Sequence, residues 1–107
     1  MAMTPEKRVK KRVAEALKSF GADMYYFAPM TGGYGRSGVP DIVGCYRGMF
    51  FAVECKAGGN TTTALQDREL ASIRAADGLA WVVNEDNAAD VRAMLLLQYQ
   101  NWSMGEA

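Results

Sequence analysis

Glu54-Cys55-Lys56 closes the most hydrophobic run of the chain, and Asp41 opens the run before it. Side chains alternate faces along a strand, so Glu54 and Lys56 point one way and Cys55 the other. A hairpin turn at Arg47-Gly48 would set the start of the first run beside the end of the second. Asp41 then joins Glu54 and Lys56 at one end of an apolar sheet. Burying such charges together is costly unless they pair or hold a cation. Two carboxylates suit a hard divalent ion, Mg²⁺ or Mn²⁺, that keeps several waters, and the backbone carbonyl of Cys55 offers a further oxygen ligand. Such an ion polarises a phosphoryl oxygen and acidifies a bound water. Lys56 could orient that water or neutralise charge developing on a phosphate. The chemistry this pattern could do is phosphodiester hydrolysis. The other reading of the same three residues is a plain cross-strand salt bridge.

Further residues have weaker but specific signals. Gln66 shares a helix face with Leu70 and Ile73, which turns it inward. It could hydrogen-bond a water or the lysine, or merely close a capping box with Thr63. Glu6, three residues before Val9, falls on the core-facing side of the first helix and is a candidate outer, water-mediated metal contact. As a first-turn glutamate it is also favoured by the helix dipole alone. Tyr34, Arg36 and Ser37 sit in a glycine-rich loop, where they could bind phosphate or stack on a base. Lys7, Lys10 and Lys11 on the first helix are candidate phosphate contacts.

The elements that must position these residues follow from periodicity and breakers. Val9, Val13, Leu17 and Phe20 recur at helical spacing from Pro5 to about Phe20, with Thr4 as N-cap and Gly21 as stop. Residues 24–28 read as a strand, followed by the glycine loop. Strands over residues 41–46 and 49–56 form the hairpin. Thr63 opens a second helix to about Asp77, with Gly78 as its C-cap. Residues 79–84 read as a short strand, and a last helix runs from near Asp86 towards Tyr99. The order helix, three strands, helix, strand, helix implies an α/β fold with a sheet covered by helices.

Composition bounds the function classes. The chain has 107 residues and reads as a single domain, residues 1–107. It has no histidine, which excludes Ser-His-Asp and Cys-His triads and histidine metal ligands. Two cysteines without metal-ligand spacing point to an intracellular, cytoplasmic setting, and no apolar run is long enough for a membrane. A net charge of zero hides an asymmetry: residues 1–56 carry nine Lys/Arg against five Asp/Glu, and residues 57–107 carry three against seven. The basic half is a candidate phosphate-facing surface, although a solvated basic helix has the same composition.

Taken together, Gly38-Val39-Pro40-Asp41-Ile42-Val43, then Phe51-Ala52-Val53-Glu54-Cys55-Lys56, then Thr63-Ala64-Leu65-Gln66 resemble the virus-type replication-repair nuclease (VRR-NUC) domain. This is a branch of the PD-(D/E)xK superfamily, and the resemblance covers roughly residues 5–85. It implies a restriction-endonuclease-like mixed sheet flanked by helices, in the order αβββαβα. It also implies a metal-dependent DNA endonuclease with Asp41, Glu54 and Lys56 as motif residues. Gln66 matches the family's glutamine at the helix start, and Glu6 its acidic position in the first helix. Stand-alone members, found often in phages and bacteria, resemble Holliday-junction resolvases, which implies a homodimer acting on branched DNA. The strongly basic first helix combined with an acidic C-terminal half departs from the family pattern.

Overall fold

The computed structural model describes residues 3–30 and 35–105. Helix α1 (Pro5–Lys18) starts where Thr4 Oγ1 accepts the Lys7 N–H at 3.2 Å, with proline in the first turn. Its apolar stripe, Val9, Val13 and Leu17, is buried. The helix ends at Lys18, two residues before the expected Phe20, and a short 3₁₀ turn at Gly21–Asp23 follows.

Strands β1 (Met24–Phe27), β2 (Ile42–Tyr46) and β3 (Met49–Cys55) form an antiparallel meander. Arg47 and Gly48 both have positive φ, 49° and 93°, which gives the two-residue connection a twist matching that of the strands. Strand β4 (Leu79–Val83) pairs parallel to β3 and completes the order β1-β2-β3-β4. A parallel neighbour needs a crossover, and helix α2 (Ala64–Ala75) provides it. A 3₁₀ turn at Ala88–Asp90 then leads into helix α3 (Val91–Gly105), so the last helix starts later than near Asp86. The element order is the expected αβββαβα, a mixed sheet flanked by helices.

The two faces of the sheet are treated differently. Ile42 and Tyr46 of β2 and Met49, Phe51, Val53 and Cys55 of β3 share one face and pack with α1 and α3 into the main core. Tyr46, Tyr99 and Trp102 stack in series along it, so both C-terminal aromatics pack on the sheet. The opposite face carries Phe50, Ala52 and Glu54, and α2 lies on this side with Leu70 buried. Tyr25 and Phe27 of β1 are exposed there.

The end of α2 differs from expectation. The C-cap is Ala76, and Asp77, not Gly78, adopts the left-handed conformation with φ 67°. The Gly78 N–H donates to the Ile73 carbonyl at 2.9 Å and the Asp77 N–H to that of Arg74 at 3.0 Å, a Schellman closure. Gly78 is needed for space, because a Cβ there would lie 2.9 Å from Ile73 Cγ2 and 3.0 Å from Phe50 Cδ1.

Candidate active site

The β2–β3 register pairs Ile42 with Val53, which sets Asp41, just before β2, across from Glu54. Asp41 Oδ2 accepts the backbone N–H of Cys55 at 2.8 Å, and Oδ1 lies 3.3 Å from Lys10 Nζ of α1. Glu54 is 2 % exposed, the one buried charged residue among those described. Its Oε2 accepts from Gln66 Nε2 at 3.1 Å and lies 3.3 Å from Lys56 Nζ. Its Oε1 is buried and has no hydrogen-bond partner among the described residues. Burial first, and the neighbouring Asp41 charge second, push the Glu54 carboxyl up to about 7, against the opposing pull of Lys56.

Gln66 closes the capping box, and its free end reaches the carboxylate of Glu54, not the expected water or lysine. Gln66 Oε1 accepts the Thr63 N–H at 2.9 Å while Thr63 Oγ1 accepts the Gln66 N–H at 3.2 Å, a complete capping box. With the amide oxygen committed to the helix start, the amide nitrogen is turned to Glu54. The cap therefore orients the site. Gly38 holds the preceding loop against the same turn: its φ is +81°, and a Cβ would lie 2.5 Å from the Leu65 carbonyl oxygen. A polar hollow of about 420 Å³ opens in front of Asp41, lined by Lys10, Pro29, Gly35–Asp41 and Gln66.

The remaining candidates are dispersed. Ser37 and Arg36 line the hollow, but Arg36 donates to Glu69 Oε2 at 2.8 Å, so its charge is already paired. Lys7 and Lys11 lie exposed on α1. Tyr34 lies outside the described residues. Glu6 is exposed and not on the buried stripe, because the whole first turn of α1 is exposed. It borders a shallow hollow with Ala57, Gly58 and Asn60. Cys55 is fully buried, with burial foremost pushing its thiol up to about 12, while Cys45 is only half-buried. Glu15, on the basic face of α1, has no ion-pair partner among the described residues. The contact that sequence reasoning missed is Lys10 to Asp41. Its only signal was position: Lys10 follows Val9 and precedes Val13, on the flank of the buried stripe.

Two converging carboxylates, one with an unpartnered buried oxygen, fit a divalent cation that retains several waters. No group of three or more Cys, Asp or Glu side chains placed to hold a metal ion gathers among the described residues, so Asp41 and Glu54 form a pair of carboxylates and not a larger cluster.

No family model matches the sequence, and no curated protein does. A solved structure described as a VRR_NUC domain superposes with a TM-score of 0.68 at 25% identity, covering 91% of this chain and 99% of its own. The chain has the VRR-NUC fold. That fold implies a nuclease-type function, and among the described residues the Asp41–Glu54–Lys56 corner with Gln66, beside the polar hollow at Asp41, is the one place where buried charge accumulates. Among the described residues no helix of the chain is long and apolar enough to cross a membrane.

Proposed function

We propose that the protein is a metal-dependent endonuclease that hydrolyses phosphodiester bonds in branched DNA, resolving Holliday junctions as a homodimer. The observation that carries the reading is Glu54 Oε1: a buried carboxylate oxygen without a partner among the described residues, beside a second carboxylate. A fold built for stability alone would not leave it so, since a buried polar oxygen without a partner costs stability.

Mg²⁺ or Mn²⁺ held by Asp41 and Glu54 would supply Lewis-acid polarisation of the phosphate and an acidified water. Asp41 is prevented from rotating by the Cys55 N–H, and Glu54 by Gln66, so the two carboxylates are preorganised. Lys56 is 12 % exposed and held beside Glu54, where it can orient the attacking water or neutralise charge on the phosphate. The polar hollow admits the phosphate backbone past Ser37 and Lys10. A four-way junction has approximate two-fold symmetry, and a C₂ dimer presents two such sites to opposed strands.

Cleavage of a labelled four-way junction is compared with linear duplex, flap and single strand in Mg²⁺ or Mn²⁺, for the wild type and Lys56→Ala. Paired junction cuts that disappear in the variant are expected. Cutting confined to linear or flap DNA would discard junction resolution, and metal-independent binding without cleavage of any substrate would discard the enzyme.

A further inference from the structure

Each carboxylate of the site has one anchored oxygen and one that is free or loosely held. Asp41 Oδ2 is anchored by a backbone N–H at the buried end of β3. Glu54 Oε2 is anchored by Gln66, itself fixed in the capping box, and by the nearly buried Lys56. Of the other two oxygens, Glu54 Oε1 has no partner among the described residues and Asp41 Oδ1 is held by Lys10. Lys10 differs from Lys56 in kind. Its side chain is 41 % exposed, comes from a different element, and lies on the wall of the polar hollow.

We infer that Lys10 is an exchangeable counter-ion: it neutralises Asp41 in the metal-free protein and moves to a DNA phosphate oxygen when a divalent cation takes Asp41 Oδ1. This rests on the nuclease reading above. An ammonium and a divalent cation cannot share one carboxylate oxygen at contact distance without strong repulsion, so the lysine competes with the metal. The lysine stem is flexible and its ammonium a compact point charge, so it can swing without rearranging the helix. The hollow whose wall Lys10 forms is polar and opens in front of Asp41, where a phosphate bound at the site would lie. Metal binding then releases a cation for DNA, and by reciprocity DNA tightens the metal. A fixed half-exposed ion pair would do neither and would contribute little to stability.

The test uses the full chain as wild type, Lys10→Met and Lys10→Arg. Ca²⁺ binding is measured by calorimetry, and binding of a labelled four-way junction by anisotropy in Ca²⁺ and in EDTA, with the DNA checked as intact afterwards. Lys10→Met is expected to bind Ca²⁺ alone more tightly than wild type. Its Ca²⁺-induced gain in DNA affinity should shrink by roughly fivefold or more, while Lys10→Arg stays close to wild type in both. Equal or weaker Ca²⁺ binding by Lys10→Met, or an unchanged DNA gain, would overturn the exchange and leave Lys10 a fixed partner of Asp41. Wild type that binds neither Ca²⁺ nor DNA would instead overturn the nuclease reading, and the exchange with it.

Discussion

Glu54 sits where the metal-free protein must tolerate a carboxylate that water cannot reach. With its carboxyl raised from 4.5 to about 7, the folded state holds a proton that the unfolded chain gives up in the ordinary carboxylate range. The folded pKa lies above the unfolded one, so metal-free stability is greatest in acid and falls as pH rises from about 4.5 through about 7. At 1.36 kcal/mol per unit the full loss is about 3 kcal/mol. Glu54→Gln keeps the shape, removes the titration and still allows the Gln66 contact. Its thermal midpoint in EDTA is expected to lose the decline between pH 5 and 8 and to match or exceed wild type at about pH 8. A salt bridge serving only the fold predicts the reverse: stability lost at every pH above the carboxylate range, because Lys56 would be left unpaired beside a neutral amide.

The elements themselves were legible in the sequence because each has a local cause. Thr4-Pro5 starts α1, Arg47-Gly48 turns the hairpin, and Thr63 with Gln66 opens α2. Asp41 across from Glu54 follows from the hairpin alone, since a short turn fixes register. What could not be read depends on how separate elements meet. Nothing local says that the Lys10 ammonium reaches Asp41, or that Glu69 pairs with Arg36. The end of α2 failed for a different reason: glycine is the usual left-handed residue, and here a neighbouring aspartate takes that conformation while the glycine makes room for Ile73 and Phe50. This assignment makes opposite predictions for adjacent residues. Asp77→Gly should raise stability by about 0.5–1 kcal/mol, since glycine adopts positive φ without steric cost. Gly78→Ala should lower it by about 1–3 kcal/mol through the overpacking its Cβ creates. Urea unfolding of the two variants checks both, and a stable Gly78→Ala beside a weakened Asp77→Gly would restore glycine as the left-handed residue.

At the scale of the whole molecule, zero net charge gives no long-range attraction for DNA, so any affinity must come from how charge is distributed. The cations in or beside the site are largely committed, Lys56 to Glu54, Lys10 to Asp41 and Arg36 to Glu69. The exposed surface of α1 is different: Lys7 and Lys11 lie on it without an ion-pair partner among the described residues, and Lys10 of the same helix reaches the hollow. A phosphate backbone entering the hollow at Lys10 would therefore continue along α1 and not across the acidic C-terminal half. Each phosphate contact contributes close to one unit to the dependence of log affinity on log salt. Lys7→Gln with Lys11→Gln is expected to reduce that slope by about two and to weaken binding alike on junction and duplex, because phosphate contacts carry no sequence or branch information. An unchanged slope would remove α1 from the DNA path and turn attention to the open sheet face, where Tyr25 and Phe27 stand exposed. A loss confined to the junction would mean that this helix reads the branch, a role that simple charge does not supply.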